Sequence, residues 1–194
     1  MRLAGVIIAG GQSRRMGHEK ALLEFGGVSL IARIADRLRP QVAALAINAN
    51  GDARRFEFLG LPVIADCTTS ASPLAGLLTA LTWANDNAFD AVITAPSDTP
   101  FLPHDFFERL HGDGAAIAAS GQPHYICGFW PVTLLPILDD ALRHHDMRRM
   151  KDWTTLCAAR IVLWPVAPYD PFFNINTADD LATAALIARA CPDA

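Results

Sequence analysis

The chain has 194 residues, 52% of them hydrophobic and 19% charged, with a formal net charge of −4. That is enough apolar material for one substantial core, so the whole chain reads as a single domain. The acidic balance excludes a general affinity for nucleic acid or an anionic membrane face, and no apolar run approaches the about 18 residues of a spanning helix, so a cytoplasmic protein is expected. The four cysteines, Cys67, Cys127, Cys157 and Cys191, are widely spaced without a C-x-x-C, which signals neither a zinc site nor a redox pair.

Short aliphatic runs alternate with segments of helical periodicity. LAGVIIA (3–9) predicts a strand, VSLIARIADRLR (28–39) a helix, and VAALAIN (42–48) and LPVIAD (61–66) two further strands. Pro73 opens a helix over 73–86, followed by the strand FDAVITA (89–95) and a short helix over 105–112. GAAIAAS (114–120) and HYICGFWP (124–131) read as strands joined by a turn, with helices at 132–143 and 147–158, a strand at 160–165 and a closing helix from Thr177. The strands are near-continuous apolar runs, so the fold class is α/β, Rossmann-like, with a mostly parallel sheet covered on both faces.

In such a sheet ligands bind at the carboxyl ends of the strands, which draws attention to IIAGGQSRRMGHEK at residues 7–20. Gly10 and Gly11 can take positive φ and bring bare backbone N–H groups to phosphate oxygens, while Arg14, Arg15 and Lys20 supply cations. Lys20 is one of only two lysines, the other being Lys151. The segment fits neither the P-loop nor the G-x-G-x-x-G fingerprint, and a plain glycine-rich turn with solvated charges is the competing reading.

A-G-G-x-S-x-R-M-G-x-x-K resembles the signature of the nucleotidyltransferases related to molybdenum cofactor guanylyltransferase, the MobA family. INAN (47–50), VIAD (63–66), PLAG (73–76), SDTPFLP (97–103) and NINTADDL (174–181) follow in the family's order. The resemblance implies transfer of GMP from GTP to the terminal phosphate of Mo-molybdopterin with release of pyrophosphate. It also implies Mg²⁺ as cofactor, and molybdoenzymes or a GTP-binding accessory protein as candidate partners. Residues 1–100 would form the nucleotide half and 101–194 the acceptor half. Carried over residue by residue, Ile8, Ala9 and Gly10 make backbone contacts to the base, Lys20 meets the phosphates, and Asn48 and Asp66 meet base and ribose; the composition of the loop adds Gly11 and Arg14 to this nucleotide site. Ile8 stands where the family usually has Leu and Ser97 where it often has Cys, and the Ala9-Gly10-Gly11 triplet favours GTP over CTP.

Read as residues alone, Asp98 follows the buried strand in APSDTP and faces the same strand-end crevice as Gly10, which makes it the Mg²⁺ ligand ahead of an Asx-turn or helix cap. Asp66 is equally a turn former, and Asn174 and Asn176 are turn or cap residues ahead of metal or acceptor ligands. Arg148 and Arg149 in RHHDMRRMKDW (143–153) are candidates for the acceptor phosphate or simply a solvated face. His144, His145 and Asp146 point to different sides of a helix and do not make a joint metal site. His124 is a polar acceptor-side position or a structural histidine, and Trp153 alone of the four tryptophans invites a pterin-stacking role. No Ser/His/Asp constellation stands out in the sequence. Two other classes stay open: the same chemistry with CTP or another phosphorylated acceptor, and a non-catalytic nucleotide- or cofactor-binding chaperone.

Overall fold

Leu3–Ile8 is apolar except for Gly5, and five of its six residues are buried; as β1 it lies inside the sheet. The computed structural model describes residues 1–10, 20–68 and 72–191. After a short 3-10 turn at Lys20–Leu22 come β2 (Glu24–Phe25), β3 (Val28–Ser29), α1 (Leu30–Leu38), β4 (Ala44–Asn48), a 3-10 stretch at Ala53–Leu59, β5 (Val63–Ile64), α2 (Pro73–Asp86) and β6 (Ala91–Pro96). The second half adds α3 (Phe106–Leu110), β7 (Ala116–Ser120), β8 (Gln122–Pro131), α4 (Leu135–His144), α5 (Met150–Leu156), β9 (Arg160–Leu163) and α6 (Ala178–Ala190).

Seven strands share one sheet in the order β5-β4-β1-β6-β8-β7-β9, in which β8 alone runs antiparallel to its neighbours. Alternation along β1 feeds both faces. Leu3 and Ile7 meet Ile31, Ile34 and Leu38 of α1, whereas Ala4 and Val6 meet Leu74, Leu77, Leu78 and Leu81 of α2. Because α1 and α2 lie on opposite faces, the chain parts at the carboxyl end of β1 and leaves a crevice there.

Several expected boundaries move for local reasons. Val28–Ser29 are not the start of a helix: Gly26 (φ 60°) and Gly27 (φ 75°) make a two-residue hairpin turn that pairs them with Glu24–Phe25. The strand expected over 61–66 contracts to Val63–Ile64 on the sheet edge, the helix over 147–158 to Met150–Leu156, and the one over 132–143 begins as α-helix only at Leu135. The 3-10 stretch over 53–59 had no periodic signal.

A third, smaller cluster of Phe25, Leu30, Phe101, Ile175 and Ala184 joins the β2–β3 hairpin, the loop after β6 and α6. Phe101 lies between Phe25 at 5.9 Å and Tyr169 at 5.6 Å. This cluster anchors the chain around Asn174 beside the loop that carries Asp98.

The interior of β8 is packed without slack. A Cβ on Gly128 would lie 2.5 Å from the Trp130 ring and 2.9 Å from the Ala116 carbonyl, while the Trp130 indole N–H donates to Thr94 Oγ1 at 2.8 Å. Gly128→Ala is therefore expected to cost about 1–3 kcal/mol as overpacking, read as a lower urea midpoint at unchanged slope; an unaltered midpoint would show that the ring has room to move.

Candidate active site

The β1 end is stitched to both neighbours. Ala9 N–H donates to the Asn48 carbonyl at 2.8 Å, and Ser97 N–H to the Ile8 carbonyl at 3.1 Å. The ends of β4 and β6, with Asn48 on one side and the Asp98 loop on the other, are thereby held beside the start of the glycine-rich loop. Gly11 and Arg14 lie outside the described residues.

On the β4 side, Asn48 is 1% exposed, and its amide donates to the Ile64 carbonyl at 3.2 Å and to Asp66 Oδ1 at 2.9 Å. Asn50 grips the same carboxylate: its amide donates to Asp66 Oδ2 at 2.7 Å, and its Oδ1 accepts the Asp66 N–H at 2.9 Å. Gly10 sits above this pair, with the position of a Cβ 3.7 Å from Asn48 Oδ1 and 4.0 Å from Asp66 Oδ2. Its φ lies outside the left-handed region, so here glycine supplies open space above a polar floor and not the unusual backbone conformation expected of it.

Beneath that floor Gly76 of α2 makes the room for Asn48, since a Cβ there would stand 2.7 Å from Asn48 Oδ1. Asn50 and Gly76 were not singled out as site residues by the sequence, although both lie inside the INAN and PLAG motifs.

On the β6 side, the Lys20 ammonium converges on three oxygens: Asp98 Oδ2 at 2.5 Å, Asn176 Oδ1 at 2.6 Å and Asn174 Oδ1 at 3.1 Å. Asn174 also donates to Asp98 Oδ1 at 2.8 Å, and the Ile175 N–H donates to the Asp98 carbonyl at 3.0 Å. Lys20 and Asp98 are mostly shielded, with side chains 14% and 18% exposed. Asp98 is thus neither an Asx-turn nor a cap. It is the centre of a cation-binding oxygen cluster, with hard oxygen donors of the kind that suit Mg²⁺ alongside phosphate oxygens and water.

Asn174 and Asn176 owe their place to the start of α6. Thr177 caps the helix by accepting from the Asp180 N–H at 3.1 Å, and Asp180 Oδ2 accepts the N–H groups of Asn176 and Thr177, each at 2.8 Å. These backbone bonds, led by that from Asn176, hold the Asp180 carboxyl below its ordinary pKa, with the Lys20 charge acting the same way.

The other candidates lie apart. Arg149 pairs with Asp152 at 2.9 Å and Arg148 with Asp146 on the exposed stretch leading into α5. His145 pairs with Asp140 at 3.2 Å, and no group of three or more His, Cys, Asp or Glu that could hold a metal forms among the described residues. Trp153 is fully buried against the α2 face of the sheet, which corrects the pterin-stacking reading. All four cysteines are free, and Cys67 is exposed. Among the described residues no helix is long and apolar enough to cross a membrane.

Residues 5–157 match the MobA-like NTP transferase domain. The chain belongs to this family. Among its relatives, the molybdenum cofactor guanylyltransferase of Rhodopseudomonas palustris (strain BisB5) is 45% identical, covering 94% of this chain and 92% of the relative. That of Rhodobacter capsulatus is 46% identical over 95% of each. Among solved structures, molybdopterin-guanine dinucleotide biosynthesis protein A from Archaeoglobus fulgidus superposes with a TM-score of 0.71 at 24% identity, covering 98% of this chain and 100% of that one. A 4-diphosphocytidyl-2C-methyl-D-erythritol synthase from Anaerococcus prevotii does so with a TM-score of 0.74 at 14% identity, covering 97% and 96%. These structural likenesses show a shared fold. In MobA-like terms, the described parts of the INAN, VIAD, PLAG, SDTP and NINT motifs meet at the strand ends.

The α6 cap carries a pH signature. A carboxylate whose folded pKa is depressed contributes stability that is present above its unfolded pKa, ordinarily 3.8, and lost as pH falls through the lower folded value. The Asn176 and Thr177 amide proton resonances should therefore shift together in an acid NMR titration with a midpoint below 3.8. A shared midpoint at or above that value would show that the cap does not stabilise the Asp180 carboxylate.

Proposed function

We propose that this MobA-like nucleotidyltransferase moves GMP from GTP to the terminal phosphate of Mo-molybdopterin in the cytoplasm, with Mg²⁺, giving the guanine dinucleotide and pyrophosphate. The observation that carries the reading is the convergence of Lys20, Asp98, Asn174 and Asn176 beside the Asn48–Asp66–Gly10 floor. The names of the relatives that are 45% and 46% identical supply the guanylyl group and the cofactor acceptor.

The acceptor's phosphate is already an anionic nucleophile, so no side chain has to remove a proton to activate it. What the reaction demands is alignment of that oxygen with the α-phosphate and neutralisation of the charge that builds on the leaving pyrophosphate. The floor positions the nucleotide's base and ribose, with Gly10 leaving room above Asn48 and Asp66. Lys20 exchanges its three side-chain oxygens for oxygens of the triphosphate. Asp98, with the amide oxygens of Asn174 and Asn176, would hold Mg²⁺, whose charge would offset that of the phosphates. Arg14 joins Lys20 on the phosphates. Arg148 and Arg149 are exposed and matched to acids in solvent-screened surface pairs, so an acceptor phosphate recruits them at small cost.

The test is transfer from α-labelled GTP and CTP, run in parallel with Mo-molybdopterin and Mg²⁺. Product from GTP alone is expected; product from CTP alone would overturn the base assignment, and none from either the acceptor assignment. Asp98→Ala should lower turnover by at least about 10²-fold while the fold persists, and normal turnover in that variant would remove Asp98 from the reaction.

Gly10→Ala tests the floor. The free protein accommodates the methyl at ordinary contact distances, so stability should hold while GTP use falls relative to CTP. An unchanged preference would disconnect Gly10 from base selection.

A further inference from the structure

Three residues that the proposed reaction does not use form a chain at the same edge of the sheet. Ser120 ends β7, His124 lies near the start of β8, and Asp170 precedes the segment that carries Asn174 and Asn176. Ser120 is 3% exposed; its hydroxyl donates to Asp170 Oδ1 at 2.6 Å and lies 2.7 Å from His124 Nε2. A serine hydroxyl has one proton. With that proton given to Asp170, the bond to His124 must be donated by Nε2–H, which fixes the tautomer of the ring.

The order is acid, alcohol, imidazole. A nucleophilic triad needs the imidazole in the middle, taking the proton of the hydroxyl. Here the carboxylate takes it, so Ser120 is not set up as a nucleophile and the chain has a different use.

Asp170 Oδ1 also accepts the Phe172 N–H at 2.9 Å, and the Phe173 N–H donates to the Asp170 carbonyl at 3.1 Å. Phe172 is 1% exposed, lies 5.2 Å from the Trp164 ring and 6.0 Å from Phe106, and stacks with the His124 ring at 4.9 Å and 30°. Two residues on, Asn174 reaches Asp98. The stretch from Asp170 to Asn176 is therefore held at both ends, by the Asp180 cap at one and by Ser120 and His124 at the other.

A second observation places this chain next to the reaction centre. The register that pairs Thr94 with Gly128 carries the start of β8 past the end of β6, toward Asp98. Cys127, next to Gly128 on this strand, is buried, and its thiol is pushed up by that burial first and then by the charges of Asp98 and Asp170.

We propose that Asp170, Ser120 and His124 act as a positioning unit for nucleotidyl transfer: they fix the upstream end of the segment that delivers Asn174 and Asn176 to Lys20 and Asp98. The unit touches neither the nucleotide floor nor the reacting atoms. Its loss should consequently lower kcat without weakening the metal-free grip of the floor on GTP. This inference rests on the function proposed above for its kinetic readout, and on amide exchange for a readout independent of that function.

The experiment compares full-length wild type with Ser120→Ala, His124→Leu and His124→Gln. Ser120→Ala removes the link, His124→Leu removes the donor to the serine, and His124→Gln keeps an N–H where Nε2 stands. In Ser120→Ala and His124→Leu, kcat for GMP transfer should fall about 10- to 100-fold, the range that small misplacement of a reacting group produces, while the Kd for GTP measured without Mg²⁺ stays within about twofold. His124→Gln should recover most of the loss. Amide exchange at Phe172 and Ile175 should quicken in the first two variants and return towards wild type in the third.

Unchanged exchange and kcat in Ser120→Ala would overturn the proposal. So would losses of kcat and GTP affinity in equal measure, which mark general destabilisation. Should wild type transfer nothing to Mo-molybdopterin, the functional reading fails, and the exchange pattern alone decides whether the unit holds the segment.

Discussion

Two stretches of chain far apart in sequence, the loop after β6 and the segment before α6, meet because one ammonium needs them both. Lys20 bonds Asp98 from the first and Asn174 and Asn176 from the second. An ammonium taken largely out of water must replace its hydration with protein oxygens. Three oxygens do so here, and one of them brings the compensating charge. The hydrophobic cluster of Phe101 and Ile175 moves the two stretches close, but apolar contact is non-directional. The charge-assisted bonds set the register, and the Asn174 amide on Asp98 closes the ring.

The sheet makes this meeting useful. Parallel strands on either side of β1 deliver Asn48, the start of the glycine-rich loop and Asp98 to one edge, and helices on opposite faces leave that edge open. β8 and β7 extend the edge without changing its polarity: β7 is parallel to the outer strand β9, and only β8 reverses. The polar residues at the far end of the edge, Ser120 and His124, accordingly stand on the same side of the molecule as Asp98. One rim carries the polar floor of Asn48 and Asp66, the oxygen cluster around Lys20 and the contacts that hold Asn174 and Asn176.

Much of this was legible from the sequence because it is written in local pattern. Pro73–Asp86 has the expected bounds, since a proline start and a continuous apolar helix leave no competing reading. Strands β1, β4 and β6 show as aliphatic runs closed by Gly, Asn or Pro. What escaped is long-range or conformational. Asn50 looks like a turn residue until β5 places Asp66 against it. The order of Ser120, His124 and Asp170 depends on a hairpin and on a segment 50 residues away. Gly10 shows the same limit: glycine in sequence signals either conformational freedom or space, and only the neighbouring side chains tell which.

On the proposed reaction, a chain of net charge −4 would meet a triphosphate and an anionic acceptor, and it has to make its positive potential local. In the resting arrangement Lys20 is matched by Asp98, and Arg148 and Arg149 are matched by acids of their own. Phosphate alone therefore gains little, because taking Lys20 away exposes the Asp98 carboxylate to the very anion that drew it off. On that reading the exchange would become favourable only with another cation arriving alongside the phosphates to take the oxygens that the ammonium leaves. Asn174 and Asn176 are suited to that change of partner: their amide oxygens accept from either cation without adding charge, so the cluster can trade a monovalent ammonium for a divalent ion while the segment bearing them keeps its place. A fixed segment is what such an exchange requires, and it is why the anchoring at both ends, remote from the phosphates, belongs to the chemistry of the site.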